Sequence, residues 1–468
     1  MKRFGRYASF LTLFCCCEFA CCQNVTQAFS FSNANSSASP HYVALEQGRD
    51  GALYGTTSGL GQTVTTDGSV FKIVTKGGKF SALHDFSGAD GAFPFAGLTL
   101  GLDGNYYGTT TNGGNSNTGA LFKVSPSGNY ATLYQFTGGS DGGYPVSSPI
   151  QASDGNFYGT TLQGSNNGGT VYRYSPSSGI FATIFSFNAD QSQGVQILDP
   201  LIEGADGNLY GTANLGGANN CGTIFELSIS GQLIQIYSFP CGSGGSSPAG
   251  PLVQASDGNF YGTTGTGGAT TRCSNGCGTI FKMSDGAVSI LYSFAGSPQD
   301  GMYPVAGLVE GTDGNLYGST TEGGMLRLGT LFQISKSGQY KQLYSFSAKY
   351  GKDPVAGLLQ HTNGKFYGTT PSGGTYNEGS LYSLNMGLGP FIALVRYTGR
   401  IGQPVQILGQ SLTGSTAVTI NGVAATSFKV VSDTYMTAVV PTGAATGPVV
   451  VTTPTGTLTS NHNLRIVK

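Results

Sequence analysis

The sequence predicts an all-β protein: a seven-bladed β-propeller closed by an N-terminal strand and followed by a small immunoglobulin-like β-sandwich. Three observations predict this architecture. A motif of the form DGNLYGTT returns seven times, each return brings four short apolar runs, and no helical period interrupts those runs. The chain divides accordingly into residues 1–22, 23–387 and 388–468.

The composition is typical of short strands joined by tight turns. Of 468 residues, 76 are Gly, 27 are Phe and 25 are Tyr, whereas charged residues make up only 10%. Disordered chains have few aromatic residues and high charge, so disorder is excluded. Lys plus Arg number 22 and Asp plus Glu number 23. No basic surface is therefore predicted, and nucleic acid is excluded as a partner.

Residues 1–22 predict a signal peptide. A positively charged start precedes an apolar run from Tyr7 to Cys17, and small residues follow at the usual cleavage spacing. Cleavage there makes Gln23 the mature start, and an alternative interpretation makes Cys21 a lipid anchor. No later stretch reaches the ~18 apolar residues of a transmembrane span. The protein is therefore expected to be secreted or attached to the outer cell surface.

The Tyr-Gly pair of the motif measures the repeat. Successive pairs are separated by 53, 51, 52, 51, 56 and 50 residues, and periods of about 50 residues with several strands per unit indicate a β-propeller. The tyrosines are Tyr54, Tyr107, Tyr158, Tyr210, Tyr261, Tyr317 and Tyr367. Seven units predict seven blades.

Each unit predicts four strands. In the sixth unit they are PVAGLVE at 304–310, NLYGSTT at 315–321, GTLFQIS at 329–335 and QLYSFS at 342–347. Asp-Gly between the first two strands predicts a tight turn in which the Gly takes a positive φ. Because blades pack face to face, the Gly after each Tyr is expected to leave a slot. Aromatic residues of the third and fourth strands are expected to fill that slot from the neighbouring blade.

The two ends of the array complement each other. The seventh unit stops after its third strand, at residues 380–384, whereas residues 27–31 match a fourth strand and precede the first unit. The N-terminal strand is therefore predicted to complete the last blade and close the ring, which removes an exposed sheet edge.

The repeat resembles a known family. The units D-G-N-x-Y-G-T-T, G-T-L-F-K, L-Y-S-F and P-V-A-G-L are similar to the GloVer (choice-of-anchor) tandem repeat of bacterial surface proteins, over about residues 25–386. The resemblance implies an exported, surface-associated protein without an assigned biochemical activity.

Residues 388–468 are predicted to form a β-sandwich of short strands separated by turns. Its V-x-I-x-G at 405–409, V-x-I-N-G-x-x-A at 418–425 and T-G-P-V-x-V at 446–451 resemble IPT/TIG immunoglobulin-like domains. That resemblance implies a spacer or adhesion unit and brings no catalytic residues.

Residues for catalysis or metal binding are sparse. The four histidines, His41, His84, His361 and His462, are spread over the chain, so no catalytic cluster is predicted. The Asp-Gly turns lack the alternating oxygen ligands of a calcium loop. No cofactor and no metal are therefore expected.

Four cysteines remain outside the leader, and they predict two structural disulfides, Cys221–Cys241 and Cys273–Cys277. A zinc site made of the same four residues is the alternative.

The function predicted is that of a non-enzymatic binding or scaffold protein whose rim loops recognise an extracellular glycan or protein. The candidate loops span residues 57–69, 188–198, 264–277, 322–328 and 371–378, and the candidate ligand-binding residues are Arg272, Glu322, Arg327, Tyr376 and Glu378. The alternative is a propeller lyase that acts on a polysaccharide or a streptogramin-like small molecule. The repeat also resembles that of streptogramin lyases, but their His-acid motif has no counterpart here.

Overall fold

The computed structural model describes residues 25–32, 39–42, 44–59, 66–166, 168–270, 272–296 and 298–467. The predicted signal peptide and Cys21 lie outside these residues. Among the described residues the regular structure is β throughout, apart from one 3₁₀ turn at Gly242–Gly244. No helix in this part of the chain is long and apolar enough to cross a membrane.

Each repeat forms one four-stranded antiparallel sheet, and the described residues contain seven of them. The first strands are Glu46–Gln47, Thr99–Leu100, Ile150–Gln151, Ile202–Glu203, Ser246–Gln254, Val309–Glu310 and Leu359–Gln360. The second strands are Leu53–Thr57, Tyr106–Thr110, Phe157–Thr161, Leu209–Ala213, Phe260–Thr266, Leu316–Thr320 and Phe366–Thr370. The third strands are Ser69–Val74, Ala120–Val124, Thr170–Ser175, Thr223–Leu227, Thr279–Ser284, Thr330–Ile334 and Ser380–Leu384. The fourth strands are Lys79–Asp85, Tyr130–Gln135, Ile180–Ser186, Leu233–Ser238, Ala287–Ser293, Tyr340–Ser345 and, from the N-terminus, Val25–Ser30.

The N-terminal strand is the fourth strand of the last repeat sheet. Val25–Ser30 runs antiparallel to Ser380–Leu384 and places Thr26 opposite Ser383. The hydroxyl groups of these two residues are 2.8 Å apart. The first described strand thus belongs to the sheet in which the repeats end.

Side-chain hydrogen bonds explain why the eight-residue motif of the form DGNLYGTT, termed the octet, recurs. In the sixth repeat, Asp313 accepts hydrogen bonds from the backbone N–H of Asn315, the Asn315 amide and the Tyr317 hydroxyl, the last at 2.8 Å. The same Tyr–Asp bond forms in the first six repeats, and in the seventh Asn363 donates to Tyr367 instead. The turn glycines have φ between 74° and 91°, which confirms their predicted conformation. The octet is therefore a self-capped turn.

The slot at the glycine after each Tyr is filled from within the same sheet. The prediction that the third-strand aromatic residue fills this slot from the neighbouring blade was therefore wrong. Gly318 lies opposite Phe332 in the register of its own sheet, and a Cβ atom at Gly318 would come within 2.6 Å of that ring. Antiparallel register places these two residues side by side, which the repeat pattern alone does not reveal.

The fourth strands do make contacts between sheets. The Phe that follows each fourth strand meets the third-strand aromatic of the next repeat edge to face, with ring centroids 5.0 to 5.5 Å apart, a geometry that aromatic pairs prefer. The pairs are Phe86–Phe122, Phe136–Tyr172, Phe187–Phe225, Phe239–Phe281, Phe294–Phe332, Phe346–Tyr382 and Phe31–Phe71. The last pair joins the final sheet to the first.

A second series of contacts links the first strands. A Gln or Glu three residues before each turn accepts a hydrogen bond from a backbone N–H of the preceding repeat, at 2.7 to 3.1 Å. The acceptors are Gln151, Glu203, Gln254, Glu310, Gln360 and Gln47. Gln47 lies in the first repeat and bonds Thr362 of the seventh. Leu100 occupies this position in the second repeat, and there the Arg49 guanidinium donates to the Leu102 carbonyl at 2.7 Å.

The C-terminal residues form a β-sandwich with its own core. One sheet consists of Ala393–Leu394, Pro404–Leu408, Tyr435–Val439 and Phe428–Ser432, and the other of Val423–Ala424, Ala417–Ile420, Val449–Thr453 and Gly456–Thr459. Two short pairs complete the fold, Thr398–Arg400 with Arg465–Val467 in parallel and Gly301–Met302 with Glu322–Gly323 in the sixth repeat. Ile407 and Met436 from one sheet share a buried cluster with Ile420 and Val451 from the other.

Candidate functional site

The two ends of the repeat sheets are chemically different. Each second strand begins at an Asp-Gly turn, or at Asn363-Gly364 in the seventh repeat, and ends in the loop that leads to the third strand. The turns and these loops therefore lie at opposite ends of every sheet. They are termed the turn end and the loop end.

The C-terminal domain covers the turn end. Thr434 donates to the Arg49 carbonyl at 2.7 Å, and Gln406 accepts from the Arg49 guanidinium at 2.8 Å. On the far side of the domain, Arg465 pairs with Glu203 of the fourth repeat at 3.1 Å. The domain thus contacts repeats that are far apart along the chain, and within the described ranges no second domain covers the loop end.

An apolar contact anchors the same interface. Tyr54 and Tyr106 of the first two repeats share one buried cluster with Leu408 and Tyr435 of the C-terminal domain. The Arg49 guanidinium lies 4.7 Å from the centre of the Tyr435 ring, within the range of a cation–π interaction. The domain is therefore packed onto the repeats, not only hydrogen-bonded to them.

All five candidate ligand-binding residues lie at the loop end. Arg272 is in the loop of the fifth repeat, Glu322 and Arg327 are in that of the sixth, and Tyr376 and Glu378 are in that of the seventh. Four of them are exposed. Glu378 is only 6% exposed, and its carbonyl oxygen accepts the Ser39 N–H.

The loops of the sixth and seventh repeats meet at Asp353. Its backbone N–H donates to the Leu328 carbonyl at 3.0 Å, and its carboxylate accepts from the Ser372 hydroxyl at 3.3 Å. One residue thus joins the loop that carries Arg327 to the loop that carries Tyr376. The structure brings these candidates onto neighbouring loops, whereas Arg272 lies one repeat further along.

Exposed apolar side chains accompany the polar candidates. Met325 is 78% exposed, Leu326 is 57% exposed and Tyr376 is 62% exposed. These three residues, termed the apolar patch, occupy the two loops that Asp353 joins. The sequence analysis named Tyr376 and did not name Met325 or Leu326, although both stand in a candidate loop.

Both predicted disulfides are present. Cys221 pairs with Cys241 and Cys273 pairs with Cys277, with Cα–Cα distances of 5.5 and 5.3 Å. The first joins the loop of the fourth repeat to the chain that leaves its fourth strand, and the second closes part of the loop of the fifth repeat. Two loops at the loop end are therefore covalently held.

Three titratable residues lie just before the first strands of the first and fourth repeats, and only His41 among them was considered from the sequence. Burial raises the pKa of Asp199 to about 7, although the Thr212 hydroxyl donates to its carboxyl group at 3.2 Å. Tyr42 is 53% exposed, yet burial and the Asp199 charge raise its pKa. His41 adjoins Tyr42, with ring centroids 5.0 Å apart.

Glu46 is the second buried acid. Burial raises its pKa to about 8, and its charge adds to the burial that raises the pKa of Tyr397 to about 12. Tyr397 belongs to the C-terminal domain, is 49% exposed and lies with its ring 4.5 Å from that of His462. The C-terminal domain thus places Tyr397 close enough to Glu46 for the charge of the acid to act on it.

A sequence signal for both acids exists. Asp199 stands where repeats two, three, five, six and seven have Ala, Ser, Gly, Ala and Ala. Glu46 stands where the later repeats have Thr, Ile, Ile, Val, Val and Leu. An acid at a position that is otherwise small or apolar indicates a special environment.

The histidines do not form a shared site. His361 is buried, with its Nε2 3.0 Å from the Gly51 carbonyl, and His84 stacks on Tyr130 at 3.8 Å. Within the described residues, no group of three or more His, Cys, Asp or Glu side chains is placed to hold a metal ion.

Comparison with known proteins gives a family and a fold. Residues 17–153, 129–297 and 270–415 match the sequence profile of the Gloeobacter/Verrucomicrobia repeat. No curated protein matches the chain.

Three solved structures illustrate the fold. Virginiamycin B lyase from Staphylococcus aureus is 12% identical over 77% of this chain and 99% of its own, with a TM-score of 0.52. An oligogalacturonate lyase from Vibrio parahaemolyticus is 11% identical over 77% and 92%, with a TM-score of 0.47. A 6-phosphogluconolactonase-like protein from Bacteroides uniformis is 14% identical over 64% and 82%, with a TM-score of 0.44. The first likeness indicates a propeller-like all-β fold, and at such identity it carries no information on activity.

Proposed function

The chain belongs to the Gloeobacter/Verrucomicrobia repeat family, and from that premise we propose an exported, non-enzymatic binding protein of the bacterial cell surface. In this proposal the repeats form a closed seven-bladed propeller whose loop end binds a ligand. The C-terminal β-sandwich is an IPT/TIG-like domain that closes the turn end. The two disulfides are consistent with an extracellular location.

Contacts between the last and first repeats support ring closure. Gln47 of the first repeat accepts the Thr362 N–H and donates to the Thr362 hydroxyl at 2.8 Å. The Phe31 ring, which follows the N-terminal strand, lies 5.4 Å from that of Phe71. Both contacts repeat the geometry found between consecutive repeats, so no separate arrangement is needed where the ring closes.

The apolar patch carries the binding proposal. Large apolar side chains on adjoining, braced loops are a common feature of protein interfaces, where Met and Tyr are enriched. The surrounding loop end supplies Glu322 and Arg327 as polar neighbours. Two of the three patch residues, Met325 and Leu326, offer no flat face to a sugar ring, and for this reason the patch favours a protein ligand over a glycan.

One observation favours the alternative of a lyase. Asp199, Tyr42 and His41 adjoin just before the first strands of their repeats, and burial lowers the pKa of His41. A neutral imidazole beside a tyrosine and an acid could transfer protons. This grouping would receive substrate through the loop end.

The test measures binding of the labelled protein to intact bacterial cells, before and after protease treatment of the cells, together with a glycan array. Met325→Ser combined with Leu326→Ser should weaken cell binding by about tenfold, the scale of losing a buried apolar anchor. Ile180→Ser removes an equally exposed apolar side chain away from the loop end and should leave binding unchanged.

The outcomes separate the hypotheses. Loss of binding after protease treatment supports a protein ligand, whereas protease-resistant binding with array signal indicates a glycan. Equal binding by the patch variant and the control contradicts the role of the patch. Release of unsaturated uronate from polysaccharide, detected by absorbance and abolished by His41→Ala, would establish the lyase instead.

A further inference from the structure

A cavity of about 300 Å³ lies between the C-terminal domain and the turn end. Leu102 and Ser153, from the turns of the second and third repeats, form one side of it. Arg396, Arg400 and Gln403 are among the residues that the domain contributes. This volume is at the lower limit of pockets that hold small organic ligands.

Arg396 is incompletely paired. Its Nη1 donates to the Ser153 carbonyl at 3.3 Å, whereas Nε and Nη2 are buried without a hydrogen-bond partner among the described residues. Burial lowers the pKa of Arg396, and the neighbouring charge of Arg400 acts in the same direction while those of Glu203 and Asp154 oppose it. Buried donors without partners are unfavourable, so a group that accepts from them would be bound.

The neighbouring acids are already engaged. Glu203 pairs with Arg465 and also accepts the Ser153 N–H at 2.7 Å. Asp154 accepts from Asn156 and from the Tyr158 hydroxyl. Neither carboxylate forms an ion pair with an arginine of the cavity, and Arg400 has no acidic partner among the described residues. The cavity therefore holds two arginine side chains, neither of which forms an ion pair with an acidic side chain of the described residues.

We propose that this cavity binds a small molecule that carries a single oxyanion group, a carboxylate, sulfate or phosphate, between Arg396 and Arg400. Guanidinium groups suit such groups because their planar N–H donors match the spacing of the oxyanion oxygens. Gln403 and Thr398 line the same cavity, and their polar groups can form hydrogen bonds with the uncharged part of the ligand. Because the site lies at the turn end, it is independent of the ligand bound at the loop end.

The test is isothermal titration of the full mature chain with sodium sulfate, inorganic phosphate and galacturonate, each at constant ionic strength. We expect saturable binding of at least one probe with a Kd of about 1 mM or tighter. Arg400→Gln should weaken that binding at least about tenfold, the scale of one charge-assisted hydrogen bond. Since Arg400 is exposed, this variant is expected to fold normally, and Arg396→Gln provides a second variant.

Arg327→Gln is the matched control, because it removes the same charge from the loop end and should leave Kd unchanged. The three probes distinguish a carboxylate site from a sulfate or phosphate site. The proposal is overturned if no probe binds, or if Arg400→Gln and Arg327→Gln change Kd equally, which would indicate non-specific attraction to positive charge.

Discussion

At the residue scale, the octet combines a conformational requirement with a hydrogen-bond requirement. Gly314 provides the positive φ of the turn, and Asp313 satisfies the groups that the turn exposes, including the hydroxyl of buried Tyr317. A buried hydroxyl without a partner would be unfavourable. The Asn363–Tyr367 pair of the seventh repeat shows that an amide meets the same need.

Glu46 allows a prediction of pH dependence. Its pKa is raised from 4.5 to about 8, so the folded protein holds this proton more tightly than the unfolded chain does. The contribution of Glu46 to stability is therefore fully present below pH of about 4.5 and is lost as pH rises to about 8. Glu46→Gln keeps the uncharged form at every pH. We expect it to raise the denaturant midpoint relative to the wild type at pH 8 and to leave it nearly unchanged at pH 4.5.

Chemical denaturation at the two pH values measures the effect. Glu322→Gln, at an exposed position of the loop end, is the control for removal of one negative charge. A Glu46 variant with the same pH dependence as the wild type would show that Glu46 is not buried in its neutral form.

At the element scale, one series of contacts between sheets comes from the phenylalanine that follows each fourth strand. Phe187 is buried and meets Phe225 of the next repeat at 5.0 Å and 69°. Its neighbour Phe185, two residues earlier, is only half-buried. Of these two phenylalanines, it is therefore Phe187 that stabilises the contact with the next sheet.

Phe187→Ala should lower the free energy of unfolding by about 3 to 5 kcal/mol, as expected for truncation of a buried aromatic residue. Phe185→Ala should cost clearly less, because its ring retains access to water. Denaturant unfolding of both variants measures the difference. Equal losses would contradict the assignment of the contact between sheets to Phe187.

The sequence was sufficient to predict some structural features and not others. The spacing of tyrosines and the Asp-Gly turns predicted strands and turns because both depend on local backbone geometry. The filling of the glycine slot was mispredicted, since it depends on register between strands. The Gln and Glu links were missed for a related reason. Gln151 and its counterparts recur visibly at one position, but their partners lie in another repeat.

At the scale of the whole molecule, the two ends of the repeat array have separate roles. Arg49, Thr362 and Glu203 of distant repeats contact the C-terminal domain. The candidate binding loops lie at the other end. The sequence predicted the domain but not its position, because the interface joins residues that are hundreds of positions apart and follow no periodic pattern.

The candidate site was predictable to a similar degree. Loop variation is visible in the repeat, so Arg327 and Tyr376 could be named as candidates from the sequence, whereas the adjacency of their loops was found only in the structure. Burial of Glu378 was not predicted, since its exposure depends on how Ser39 of the N-terminal segment packs against it. The acids Glu46 and Asp199 depart visibly from the repeat pattern, but their raised pKa values result from burial, which the sequence does not show.

Closure of the array by the N-terminal strand is the central claim, and a disulfide between Thr26→Cys and Ser383→Cys tests it most directly. These residues are opposite each other with hydroxyl groups 2.8 Å apart, a placement that cysteines can bridge. Gln333 occupies the position of Ser383 in the sixth repeat, so Thr26→Cys with Gln333→Cys is the control pair. Mass spectrometry after non-reducing digestion should find the 26–383 disulfide and no 26–333 disulfide. Absence of the first, or equal formation of both, would contradict the account.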